Sequence, residues 1–364
     1  MGRVMMAAGA LAVGATSAYA GGIERSTQSV APLFETGNYA EFSFGTFSPD
    51  VSGVGAGPFT GLTSGDMTPS YGTFSFAYKR ALKDNLDLAL IVDQPVGADV
   101  SYPAANAPYP FAGSSAEVRS LAVTGLMRYK FPSNVSLYGG LRFERTKGNV
   151  NIIAPSLSPA YTNYGLVADP NTKVGYVLGV AWEKPEIAAR VALTYNSKIT
   201  HSFDTVETGL AAIPINGTMD VETPQSVNLE FQTGIAADTL LFGSVRWVDW
   251  TKFNITPPTL GVPIVSYSND VVTYTLGLGR KFNDHWSGAV ILGYEDTKGD
   301  PVGNLGPTDG YKSIGLAATY TMDKVKITGG IRYVDIGTAT TTSIGSQFRD
   351  NSGIGAGIRV GYNF

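Results

Sequence analysis

Apolar and polar residues alternate with period two along most of the chain. In SVNLEFQTG (226–234), Val227, Leu229 and Phe231 share one face, and Asn228, Glu230 and Gln232 take the other. In HWSGAVILGYED (285–296), Trp286, Val290, Leu292 and Tyr294 share a face with Gly288. In KVKITGGIRYVD (324–335), Val325, Ile327, Ile331 and Tyr333 oppose Lys326, Thr328 and Arg332. The final stretch, SGIGAGIRVGYNF (352–364), sets Ile354, Ile358, Val360, Tyr362 and Phe364 against glycines, Arg359 and Asn363. This period predicts strands, and no helical period persists anywhere. Each strand is apolar on one face, polar or small on the other, with aromatic residues near its ends. A transmembrane β-barrel needs that division, with the apolar face toward lipid and the polar face toward the lumen. A soluble β-sandwich also alternates, but has no need of repeated aromatic ends or of a chain that ends in an aromatic on the lipid face.

The connections give the strand number. Short ones lie near 81–85, 131–134, 183–186, 234–238, 282–285 and 321–324; longer Gly/Pro-rich ones lie near 50–69, 103–114, 155–170, 208–218, 255–265, 298–309 and 341–350. They alternate throughout and join fourteen strands in one domain. An even number of strands puts both ends in the periplasm and the long loops outside. The expected fold class is therefore all-β: an antiparallel transmembrane barrel of about fourteen strands.

Composition narrows the classes. The 364 residues include 44 glycines and no cysteine, and only 15% are charged, with a net charge of -4. No disulfide framework, thiolate metal site or thiol nucleophile is available, and the mild charge argues against a nucleic-acid partner. Residues 1–20, MGRVMMAAGALAVGATSAYA, have a basic start, a short apolar run and an Ala-Tyr-Ala cleavage triplet, the pattern of a secretory signal peptide. Residues 21–38, GGIERSTQSVAPLFETGN, do not alternate and carry an apolar cluster of Val30, Pro32, Leu33 and Phe34. A fourteen-stranded lumen is too wide for its own side chains to fill, so this segment is expected to fold into it as a plug. Residues 39–364 are the barrel.

One strand is irregular. ALIVDQPVGADVSYP (89–103) reads as a strand but carries Pro95 and Gly97 in its middle. Proline lacks a ladder donor, and glycine marks a bulge or a close approach. By parity, the inward ionisable residues are Arg142, Glu144, Arg190, Glu230, Arg246, Glu295, Arg332 and Arg359.

Several segments carry a family resemblance. FSPDVSG (47–53), RVALTYNSKITHSFD (190–204), TPQSVNLEF (223–231), GSVRWVDWTKF (243–253) and GYEDTKGDP with GPTDGYKSIGLAATY (293–320) resemble stretches of the FadL-type outer-membrane transporters of long-chain fatty acids and other hydrophobic compounds. The resemblance covers nearly all of the expected mature chain. It departs in the pre-barrel segment, which is about half the familiar length and lacks an Asn-Pro-Ala tripeptide. The resemblance implies passive, ligand-gated diffusion of a hydrophobic ligand (a fatty acid or detergent-like molecule) through a plugged barrel in the outer membrane. It also implies an inward kink in the third strand, which makes Pro95 and Gly97 the expected lateral exit into the lipid. A fatty acid needs an apolar pocket and a cation for its carboxylate. The expected ligand site is Leu33 and Phe34 of the plug with Arg142 and Arg190, and Leu210, Ile213 and Ile215 form an outer collection site. The chain is expected to act as a monomer, surrounded by outer-membrane lipids.

Catalytic readings are weak. His201 and Ser202 are adjacent in a strand and point to opposite faces, so they form no dyad. No metal, phosphate-loop or cofactor motif is present, and none is expected. Two other functions remain compatible with a barrel: a general diffusion porin for small polar solutes, which would show large steady conductance, and an adhesin acting through the long loops. Mass spectrometry of the membrane-extracted protein should find Gly21 at the mature N-terminus; retention of Met1 would contradict cleavage after Ala20.

Overall fold

The computed structural model describes residues 22–364, so the expected signal peptide lies outside the described residues. Fourteen strands run in chain order: β1 (Tyr39–Asp50), β2 (Tyr71–Lys83), β3 (Leu86–Asp93 and Gly97–Ser101), β4 (Ser115–Lys130), β5 (Val135–Ile152), β6 (Tyr164–Lys184) and β7 (Ala189–Asn196 and Ile199–Thr208). They continue with β8 (Ile215–Thr223 and Ser226–Ala236), β9 (Thr239–Val248), β10 (Val271–Lys281), β11 (Trp286–Glu295), β12 (Tyr311–Met322), β13 (Val325–Ile336) and β14 (Asn351–Asn363). Each pairs antiparallel with the next, and β14 pairs with β1 from Tyr39↔Asn363 to Asp50↔Ser352, which closes the barrel. Closure leaves no sheet edge in lipid, where an unpaired backbone group costs several kcal/mol.

The two ends differ. At one end are tight turns, where Asn134, Ala188, Asp238 and Asp323 take positive φ. At the other, long loops fold over the mouth and form small sheets of their own, such as Gly53–Val54 with Gln347–Phe348. Several expected boundaries shift: the fourth long loop is 209–214 rather than 208–218, and the fifth is 249–270 rather than 255–265. The third long loop ends at 163 rather than 170, because β6 starts at Tyr164 and absorbs Pro170 into a bulge opposite Lys147. A bulge residue needs no ladder donor, so proline is tolerated there.

The outer face is a belt of exposed apolar side chains, among them Leu137, Leu141, Leu276, Leu292, Leu316 and Ile354. Tyr129, Phe131, Trp182, Trp286, Tyr362 and Phe364 rim it at the turn end, and Tyr176, Tyr274, Tyr294 and Tyr333 rim it toward the loops. Two such girdles mark the interfaces of a membrane-spanning barrel. Inside, buried residues form two apolar clusters, a large one beneath the loops and a smaller one toward the turns.

The closing seam depends on close packing. Phe47 of β1 is fully buried against Tyr71, and its ring lies over Gly353 of β14, where an added Cβ would come within 2.3 Å of it. Overpacking of this kind costs about 1–3 kcal/mol. Gly353→Val should therefore lower the heat-modifiable folded fraction on a gel relative to wild type, and an unchanged fraction would show that the seam tolerates the ring's displacement.

Candidate functional site

β3 changes register and loses a neighbour together. β6 does so too, with its bulge against β5 and no ladder to β7 between Ala168↔Thr205 and Val177↔Asn196, but it is at β3 that the N-terminal segment enters the gap. Asp93 pairs with Ala122 of β4, and Gly97 pairs with Arg119. Three residues, Gln94, Pro95 and Val96, thus face two on β4, which makes a one-residue bulge. An odd insertion flips the side-chain faces. Below it Ile91 and Asp93 point inward; above it Val96, Ala98 and Val100 do, while Gly97 and Asp99 share the outer face with Arg119 and Glu117. On the other side, pairing of β2 with β3 stops at Phe76↔Val92, and no strand of the wall pairs with Tyr71–Ser75 there. The Gln94 side chain supplies the missing acceptor, taking the Phe74 amide at 3.1 Å.

The N-terminal segment fills this opening. Glu24 bridges Val96, the Gly97 amide donates to the Ile23 carbonyl at 2.8 Å, and the Arg25 amide donates to the Pro95 carbonyl at 2.8 Å. The Arg25 guanidinium lies 3.1 Å from the centroid of the Tyr71 ring on β2 and pairs with Asp99 of β3 at 2.6 Å. Tyr71 belongs to the inner face of β2 and Asp99 to the outer face of upper β3. One side chain can touch both only because the upper half of β3 is set inside β2. An added Cβ on Gly97 would lie 3.0 Å from the Arg25 stem and 3.2 Å from the Val118 carbonyl, so glycine permits this close approach. Below the kink, a cavity of about 110 Å³ runs from Arg25, Asp93 and Glu35 to Phe44, Phe74 and Phe76, whose rings are exposed on the outer face.

The rest of the segment runs down the lumen to Asn38. Arg246 pairs with Glu24, the Asn228 amide donates to the Thr27 carbonyl at 2.8 Å, and Ser29 donates to Glu230 at 2.5 Å. Lys79 donates to the Glu35 and Gly37 carbonyls, both at 2.8 Å, and pairs with buried Asp87 at 3.2 Å. Buried ions are tolerable only in such pairs.

The sequence-derived ligand residues do not form one pocket. Leu33 is fully buried in the lower cluster with Val30, Leu126 and Tyr138. The Phe34 ring lies 4.6 Å from the guanidinium of Arg190, 4.4 Å from that of Arg128 and edge-on to Tyr138. Arg142 is apart from them: it donates to Thr124 at 3.0 Å and lies near Asp93 and Glu144. Of the loop residues, Leu210 packs on the upper cluster, Ile213 is 73% exposed at the loop tip, and Ile215 opens β8 opposite Glu207.

The apolar cavity lies higher. Val96, Val118, Leu166, Phe203, Met219 and Ile255 line it, and His201 and Thr223 stand at its base. Beneath them Glu144 is fully buried; it accepts from Thr223 at 2.8 Å and lies 3.4 Å from His201. His201 stacks on Phe203 and faces inward within β7, with Ser202 exposed on the opposite face. The roof is the loop 249–270, pinned where Glu207 accepts the amides of Thr259 and Leu260 at 2.7 and 3.0 Å. Beside it Trp250 packs against Phe253 and Tyr267, and burial raises the Tyr267 phenol above its ordinary pKa. Tyr102 is likewise buried and held protonated, donating to the Asn304 carbonyl at 2.5 Å. The lining was legible as an inversion of the alternation. In TMDVE (218–222) the inward Met219 and Val221 are apolar and the outward Thr218, Asp220 and Glu222 polar, and in SFD (202–204) the inward Phe203 lies between outward Ser202 and Asp204, as expected of strands that extend past the lipid.

Among the described residues no helix is long and apolar enough to cross a membrane, which says nothing of strands, and no cluster of metal-ligating side chains occurs. None of the curated proteins matches the chain in sequence. Among solved structures, a FadL homologue from Pseudomonas aeruginosa is similar over 97% of this chain and 98% of its own, with a TM-score of 0.76 and 16% identity. The toluene transporter TodX from Pseudomonas putida matches over 96% and 98%, with a TM-score of 0.67 and 15% identity, and the toluene transporter TbuX from Ralstonia pickettii over 97% and 98%, at 0.65 and 12%. At these identities the likeness is one of fold. The model of the outer membrane protein transport protein family (OMPP1/FadL/TodX) matches residues 36–298, and the chain therefore belongs to that family of outer-membrane transporters of hydrophobic compounds and is not an enzyme.

Proposed function

We propose that the protein carries long-chain fatty acids across the outer membrane by passive diffusion and releases them sideways into the bilayer between β2 and β3. The observation that carries this reading is the combination at β3: a wall with no backbone pairing above Phe76↔Val92, and a cavity beneath it that joins lumen to lipid face. A hydrophobe using that route goes from an apolar pocket to an apolar membrane and never crosses the polar turn end. The N-terminal segment serves as the plug, filling the lumen below the cavity. The cavity is about 40 Å³ in this arrangement, well short of the about 150 Å³ that holds a benzene ring. Cargo must therefore displace Val96 or the roof residue Ile255, which makes passage ligand-gated. A second reading, aromatic hydrocarbons, is favoured by the cavity's predominantly apolar lining. It accords with the toluene transport that two similar structures are named for.

Filling the cavity tests the pocket. Met219→Trp should weaken binding of a fluorescent fatty acid at least tenfold while the barrel still folds; unchanged affinity would move the site elsewhere. A parallel competition with toluene decides between the two readings. Removing the bulge tests the exit. Deletion of Pro95 brings Val96 opposite Ser120 and makes β3 continuous against β4. Binding should persist, and transfer of a fatty acid to the membrane should fall about tenfold in cells that lack another transporter. Wild-type uptake by a normally folded deletion variant would exclude the lateral route.

A further inference from the structure

Arg25 stands where the N-terminal segment meets the wall gap, and it lines the cavity below the kink. Its amide is bonded to Pro95, its guanidinium Nε to the Gly97 carbonyl at 3.0 Å, and its terminal nitrogen to Asp99, with the side chain 4% exposed. Val96, which faces Glu24 in the bridge, lines the apolar cavity on the lumen side. Asp99 does not depend on Arg25. Arg119 holds both of its oxygens, at 2.5 and 2.7 Å, and is itself paired with Glu117 at 3.1 Å.

We propose that Arg25 reads the head group of the cargo: the carboxylate of an amphiphile takes the place of Asp99 on Arg25, and this exchange releases the Ile23–Arg25 edge from β3 and opens the gap. The charges favour an anionic ligand. Replacing one carboxylate by another leaves Arg25 paired throughout, and Asp99 stays with Arg119. An uncharged ligand of the same length offers Arg25 nothing in exchange, and opening would then leave a buried guanidinium without its anion, a far costlier state. The Tyr71 ring holds the guanidinium in place from the other side through a cation–π contact, so the exchange needs no movement of Arg25 across the gap. This inference rests on the fatty-acid reading and gives it a selectivity: acids are released into the membrane, and the matching alcohols bind in the cavity without release.

The test uses wild-type protein in lipid nanodiscs, with oleate and oleyl alcohol as probes. Hydrogen exchange is followed at the Gly97 and Arg25 amides, which are closed by the Ile23 and Pro95 carbonyls. Oleate should speed exchange at both about tenfold or more, and oleyl alcohol should leave them protected. In Arg25→Gln both amides should exchange quickly without ligand, and oleate should add nothing. Oleate that binds, by separate equilibrium dialysis, without deprotecting these amides overturns the role of Arg25 and leaves the fatty-acid reading standing. So does equal deprotection by the alcohol. Absence of oleate binding overturns the fatty-acid reading and this inference with it.

Discussion

Pairing of backbone amides and carbonyls in a medium without water governs this structure. The closed ladder from β1 to β14 satisfies most of them around the wall, and it fixes the alternation that sends apolar side chains to lipid and polar ones inward. The constraint also shows what a gap in such a wall requires. Where β2 and β3 part, three other groups complete the bonding: the Gln94 side chain on Phe74, the Met67 carbonyl on the Ser101 amide, and the Ile23–Arg25 backbone on Pro95 and Gly97. The kink is a place where ladder bonds pass to groups outside the barrel ladder.

This links the plug to the wall. A plug held only by side chains inside the lumen could shift without consequence for the barrel. Here Glu24 bridges Val96, and the Ile23 and Arg25 backbone bonds to Gly97 and Pro95, so in the proposed mechanism displacement of this segment and opening of the wall are one event. The lower part is anchored separately by Lys79, Asn228 and Glu230, and by Leu33 and Phe34 in the lower apolar cluster, while Arg246 holds the Glu24 side chain of the upper part. On the proposed reading, the Ile23–Arg25 backbone leaves β3 while the lower residues, and the Glu24 side chain on Arg246, keep the rest of the segment in place.

The lumen is divided by height. Arginines and carboxylates populate the lower half, paired with one another and with the plug; apolar residues populate the upper half under the loops. The same strands build both, because β4 to β8 extend beyond the lipid belt and reverse their polarity there. A reading that treats the inner face as polar along its whole length misses the pocket, and this is why Phe203, Met219 and Leu166 escaped sequence-based selection.

The strand number, the two ends, the inward positions of Arg142, Glu144, Arg190 and Glu230 and the irregularity at Pro95–Gly97 were all legible in the sequence. Each follows from local rules: period two, turn composition and the missing proline donor. The apolar Val30–Phe34 run was legible too, but not its neighbours. That Phe34 stacks with Arg190 while Arg142 sits apart depends on how strands far separated in sequence are staggered around the barrel. Only the tertiary structure decided that the bulge turns Asp99 to the outer face, and that Arg25, 74 residues earlier, meets it there. Register between distant segments is set by closing the whole barrel, and no window of sequence contains it.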